Sequence, residues 1–172
     1  MWKWDVFIFL KRKKKIEELG IDISQIAIEA AKRKGINVMK FDAARGDFMK
    51  LTGYNYIVML DFLEHIVNGE EVLLRLKDLN PEAVIIVSIP NAGYYFNRFR
   101  LFFGGRFIFQ LYHPAWHVRF WTIKDFVNMA KNLGLVIDKI IPYHGTFIFL
   151  LRRVFPNIFA EYVLFKTHFD ET

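Results

Sequence analysis

The chain reads as an α/β fold built on a doubly wound, mainly parallel sheet, and two features predict it. Short apolar runs alternate with helical stretches four times over roughly the first ninety residues, the pattern left by right-handed crossovers between parallel strands. Several of these runs also end in an acid or a cap residue and pass at once into a helix, the junction where such sheets bind nucleotides. With 172 residues, 53% of them hydrophobic, the chain is long enough for one domain over residues 1–172 with a full core.

Residues 4–10 (Trp-Asp-Val-Phe-Ile-Phe-Leu) form an apolar run without alternation, as expected of a strand buried on both faces. Residues 11–19 leave room for a short helix, which Gly20 stops. Residues 21–23 are the second strand, and Ser24 caps a helix that puts Ile26, Ala27, Ala30 and Ala31 on one face and closes at Gly35. Asp22, at the carboxyl end of that strand, offers two acceptor oxygens and no donor. It either takes both hydroxyls of a ribose or helps to cap the helix beside Ser24.

Residues 36–41 are a third strand, which again ends in an acid, Asp42. Residues 55–60 are a fourth, followed by Asp61-Phe62-Leu63-Glu64-His65-Ile66. A helix over 69–79 is broken by Asn80-Pro81, and 83–89 is the most strand-like run of all, ending in Pro90-Asn91. From 91 to 121 the periodicity disappears and aromatics crowd in, among them Tyr94, Tyr95, Phe99, Phe102, Phe103, Tyr112 and Trp116. An irregular connection of this length at the carboxyl edge of a sheet is either a lid or binding insertion, or a small helical subcore that covers the edge. Thr122 then caps a helix to Asn132, with Asp125 completing a short capping box and Gly134 as the stop. Residues 135–142 and 161–169 are the last two strands, and the apolar link 146–159 reads as a core-packing helix rather than a surface for a membrane or partner.

The absence of cysteine excludes disulfides, thiolate metal sites and cysteine nucleophiles, and suits the cytoplasm. No run approaches the roughly 18 apolar residues of a membrane span. The apolar start precedes the basic cluster, the wrong order for a signal peptide. That cluster, Lys11-Arg12-Lys13-Lys14-Lys15, carries much of the net charge of +6 and reads as a solvated helix face. No RNA-binding motif accompanies it, so nucleic acid is not an expected partner. Two glutamines, no cysteine and many Lys, Glu and Ile point to a heat-adapted source.

Five pieces in order carry a resemblance: Gly20-Ile21-Asp22-Ile23-Ser24, Phe41-Asp42, the run from Tyr56 to Ile66, Ser88-Ile89-Pro90-Asn91, and His117-Val118-Arg119-Phe120-Trp121-Thr122. Together they make the chain similar to the class I S-adenosylmethionine-dependent methyltransferases, in particular the MetW-like, type 11 branch. The resemblance implies a Rossmann-like sheet of order 3-2-1-4-5-7-6 with its last strand antiparallel and residues 91–121 as an insertion after strand 5. It implies S-adenosylmethionine as cofactor and S-adenosylhomocysteine as product. By the same resemblance Asp22 with Ile23 binds the ribose, Asp42 with Ala43 meets the adenine amine, and the Leu60-Asp61 step lines the methionine side.

His65 has the chemistry of a general base, yet the family's Glu-His pair more often orders the loop under the cofactor. His113, His117 and Arg119 are placed to bind an anionic substrate, with Asn91 and Tyr95 as further substrate-side candidates. No residue is assigned to the catalytic step. No metal centre is expected, since no third ligand is evident near His113 and His117.

One departure stands out. The family's glycine-rich turn after strand 1, Asp-x-Gly-x-Gly-x-Gly, falls on Asp5-Val6-Phe7-Ile8-Phe9-Leu10-Lys11, and no glycine precedes Gly20. Three readings follow: a methyltransferase of unknown acceptor with an abbreviated amino end; a catalytically silent methyltransferase-like module that binds a partner protein through its aromatic insertion; or a reading frame truncated or shifted near its start. The incomplete amino end and the aromatics also favour a homodimer.

Overall fold

The computed structural model of the chain describes residues 16–105, 117–144 and 149–170. It divides into two compact units, Met1–Asp47 and Phe48–Thr172. Outside the described residues lie the first predicted strand, most of the predicted helix after it, the lysine run, and residues 106–116 of the insertion with His113.

In the first unit, β1 (Gly20–Asp22), α1 (Gln25–Arg33) and β2 (Val38–Lys40) form a β-α-β crossover. The strands pair in parallel with Gly20 opposite Val38 and Asp22 opposite Lys40. The ladder continues at both ends, where Gly20 N donates to Asn37 O (2.8 Å) and Phe41 N donates to Asp22 O (3.0 Å). Ser24 caps α1 by accepting from Ala27 N, and Lys32 and Arg33 sit in its last turn, where the helix dipole favours cations. Gly35 follows with φ +72°, a conformation that costs a residue with a Cβ but not glycine.

The buried face of α1 differs from the one expected. Ile28 and Ala31 pack with Ile36 and Val38, while Ile26 is 79% exposed. At about 100° per residue Ile26 lies some 200° from Ile28, so the two cannot share a narrow face, and the strand side claims Ile28. Residues 16–19 carry no helical turn, because the chain feeds directly into β1 there.

The second unit begins with a 3-10 turn over Phe48–Leu51, followed by β3 (Tyr56–Leu60), a 3-10 turn over Leu63–His65, α2 (Gly69–Leu79) and β4 (Val84–Pro90). Next come α3 (Tyr95–Phe102), α4 (Ile123–Asn132), β5 (Leu135–Tyr143), α5 (Phe149–Val154), α6 (Pro156–Phe159) and β6 (Tyr162–Phe169). The sheet order is β3-β4-β6-β5, with β3 parallel to β4 and β6 antiparallel to both its neighbours. This reproduces the 4-5-7-6 part of the expected order and its antiparallel last strand.

Ile85, Val87, Ile89, Val163 and Phe165 make the centre of this sheet, and Phe126 of α4 stacks on Phe165 with ring centroids 4.5 Å apart. Asn80, which ends α2, bonds Leu51 O through Nδ2 and accepts from Tyr54 N, each at 2.8 Å, and so ties the helix end to the preceding turn. Thr122 and Asp125 form the expected capping box on α4.

Two further expectations are corrected. Residues 91–121 are not wholly irregular, since α3 lies within them, and no residue of that helix is buried: Phe99, Phe102 and Phe103 face solvent. The link before β6 is not a core-packing helix. It forms two short helices, six and four residues long, that leave Leu150, Val154 and Phe155 exposed. Among the described residues no helix is long and apolar enough to cross a membrane.

Candidate functional site

The carboxyl edge of the first unit carries two acids, Asp22 as the last residue of β1 and Asp42 two residues past the end of the parallel β2. Asp22 Oδ1 accepts from Ser24 N (2.8 Å), and Asp42 Oδ1 accepts from Ala44 N (2.9 Å). Each is an Asx turn, in which a carboxylate engages the backbone two residues on. The two sequence readings of Asp22 are therefore compatible: one oxygen steadies the helix start, and the second has no protein donor among the described residues. Both side chains are half-buried, as is Ala43, while Ile23 is exposed beside Asp22. Behind Asp42 the chain turns tightly, with Gly46 N donating to Asp42 O (2.6 Å); a Cβ on Gly46 would meet the Phe41 ring and that carbonyl at 2.6 Å. Two half-buried carboxylates, each with one oxygen committed to its own turn, fit neutral donors such as a ribose diol and an adenine amine.

In the second unit Leu60 ends β3, and Asp61 takes φ +47°, in the left-handed region. Ser88 holds it there: Asp61 N donates to Ser88 Oγ (2.9 Å), and Ser88 Oγ donates to Asp61 Oδ1 (2.7 Å). Tyr143, at the end of β5, lies beside Ser88. Burial pushes the Tyr143 phenol up, and the nearby charges of Asp61 and Glu64 add to this. Tyr162 opposes Tyr143 across the ladder, their rings stacked 5.7 Å apart, and burial followed by the Asp61 charge pushes it up to about 12. Both phenols stay protonated at neutral pH.

The turn over Leu63–His65 buries Leu63 in the core and Glu64 to 1% exposure, leaving His65 exposed. Val118 N and Arg119 N both donate to Glu64 O, at 2.9 and 3.2 Å, which draws residues 117–119 against this turn. His117 consequently meets His65 edge-on, with ring centroids 4.7 Å apart. Burial, helped by His65 and opposed by Asp61, holds the His117 imidazole below its ordinary value, so it is neutral at pH 7. One ligand atom each from Glu64, His65 and His117 lie within 4.8 Å of one another.

The other predicted residues are occupied elsewhere. Arg119 Nε donates to Val67 O (2.8 Å), its Nη1 pairs with Glu70, and its guanidinium lies 5.8 Å from the Trp121 ring centroid. Its charge thus serves the α2 start. Asn91 is 2% exposed; its Nδ2 donates to Ala160 O (2.8 Å) and Asn157 O (3.1 Å), and its Oδ1 accepts from Gly93 N (2.9 Å). It fastens the end of β4 to the segment before β6. Tyr95 packs against Tyr94 and Phe159, with centroids 4.9 and 5.7 Å away. A groove of about 480 Å³ lined by Val127, Leu135 and Asp170 lies at the amino end of β5, away from this cluster.

Sequence reasoning did not assign roles to Ser88, Tyr143 and Tyr162. Ser88 carries a signal, as the one polar side chain in the apolar run of β4. The two tyrosines carry none, because only the strand order brings them together.

Residues 3–167 match the family described as "Methionine biosynthesis protein MetW". No curated protein matches the chain. Among solved structures, the methyltransferase domain of the bacterial CtHen1-C is 18% identical with a TM-score of 0.63, covering 96% of this chain and 83% of that one. A SAM dependent methyltransferase from Archaeoglobus fulgidus is also 18% identical, with a TM-score of 0.60 over 95% of this chain and 81% of its own. A chain of the structure described as "Complex between the Haloferax volcanii Trm112 methyltransferase activator and the putative methyltransferase" is 12% identical, with a TM-score of 0.68 over 97% of this chain and 78% of that one. At these identities the likeness shows the fold, that of the S-adenosylmethionine-dependent methyltransferases.

Proposed function

The chain belongs to the MetW family, and from that premise we propose that it is an S-adenosylmethionine-dependent methyltransferase. The observation that carries this reading is the pair Asp22 and Asp42, one at the carboxyl end of β1 and the other just past the end of the parallel β2, each with one oxygen engaged by its own turn. Asp22 is assigned the ribose hydroxyls and Asp42 the adenine amine. When bound, the cofactor supplies an electrophilic methyl group for in-line transfer to a nucleophilic oxygen, nitrogen or carbon. The chain contributes binding and orientation, which supply much of the rate in such transfers. At Asp61 the bonds from Ser88 fix the carboxylate in place, and Tyr143 and Tyr162 stay neutral, offering hydrogen bonds rather than charge. The reading leans on these acids and not on a glycine-rich turn, which residues 5–11 lack.

A second reading, a methyltransferase-like module that binds a partner protein, is favoured by the exposed Phe99, Phe102 and Phe103 at the end of α3. Calorimetric titration of tag-free protein with S-adenosylmethionine and S-adenosylhomocysteine separates the two. Hydrogen bonds to a carboxylate are worth roughly 1.5–3 kcal/mol each, so Asp22→Ala weakens binding at least about tenfold. Micromolar binding with that loss supports the enzyme; no binding at millimolar cofactor contradicts it and leaves the module.

A further inference from the structure

We propose that Glu64, His65 and His117 form a site for one divalent first-row transition-metal ion at the carboxyl end of β3. Two imidazoles and one carboxylate are a donor set for zinc, manganese or ferrous iron rather than for magnesium or calcium, which prefer oxygen alone. One donor atom from each residue already lies within 4.8 Å of the others. Metal bonds of about 2.0–2.2 Å bring such atoms to about 3–3.5 Å, so the side chains close by roughly 1.5 Å on binding.

The cluster is built by backbone rather than assembled from mobile side chains. The bonds from Val118 N and Arg119 N to Glu64 O fix the segment of His117 to the turn that carries Glu64 and His65. Arg119, bonded to Val67 O and paired with Glu70, fastens the same segment a second time. Nδ1 of His117 is buried and has no hydrogen-bond partner among the described residues, which leaves it to be met by a cation. Three protein ligands leave coordination positions for water or for an oxygen or nitrogen of an acceptor molecule.

This inference concerns the second unit alone and stands whether or not S-adenosylmethionine binds. Its test uses tag-free protein freed of metal with a chelator and titrated calorimetrically with Zn²⁺ and Mg²⁺, followed by the visible spectrum with Co²⁺. One equivalent of Zn²⁺ per chain is expected, with no comparable Mg²⁺ binding. Affinity falls at least tenfold in both His65→Ala and His117→Ala, and Co²⁺ gives the d–d bands of a nitrogen–oxygen site. Since His65 is exposed, His65→Ala keeps the fold, as circular dichroism will verify. No stoichiometric Zn²⁺ binding, equal Mg²⁺ binding, or Zn²⁺ affinity unchanged in His65→Ala overturns the proposal.

Discussion

Asp22 and Asp42 each engage their own turn through one carboxylate oxygen, which leaves the second for the cofactor contacts proposed above. Glu161 shows the opposite economy. Its side chain is 19% exposed and lies 4.0 Å from the His144 imidazole, so burial raises its carboxyl above the ordinary value of 4.5 and His144 offsets this only in part. A group raised in the folded state binds more protons there than in the unfolded chain, so stability falls as pH rises through the window above 4.5. Glu161→Gln is therefore expected to raise the melting temperature at pH 7, with the gain disappearing below that window; thermal melts across pH test it. At this scale the sequence was informative where chemistry is local. The position of Asp22 and Asp42 at the carboxyl edge is legible because each acid closes a short β run. Glu64 and His117 are far apart in the chain, and their meeting rests on two backbone bonds that no residue pattern announces.

At the level of elements, caps and stops were read well because their chemistry is also local: Ser24 and Thr122 start α1 and α4, and Asn80 ends α2. The helix face of α1 was not. Ile26, Ala27, Ala30 and Ala31 form a plausible stripe, but so does the stripe through Ile28 and Ala31, and periodicity alone does not decide which one a strand covers. The choice has a measurable consequence. Ile28→Ala empties a packed site and costs roughly 2–4 kcal/mol in urea unfolding, whereas Ile26→Ala stays within about 0.5 kcal/mol. Equal losses would mean that the buried face is misassigned. The link before β6 failed for a related reason: apolar composition marks a surface as needing cover only when the fold puts something over it, and α5 and α6 leave Leu150 and Phe155 bare.

Across the whole chain, the alternation of strands and helices was enough to predict parallel pairing of β1 with β2 and of β3 with β4. The antiparallel β6 between β4 and β5 came from the family resemblance, since no local signal orders the last two strands. The proposal that this chain of the MetW family holds an adenosine through Asp22 is checked by a crystal structure with S-adenosylhomocysteine. The ribose hydroxyls are expected within hydrogen-bonding distance of the Asp22 carboxylate and the adenine amine beside Asp42. A nucleoside bound away from both acids, or crystals that take up none at millimolar concentration, would contradict it.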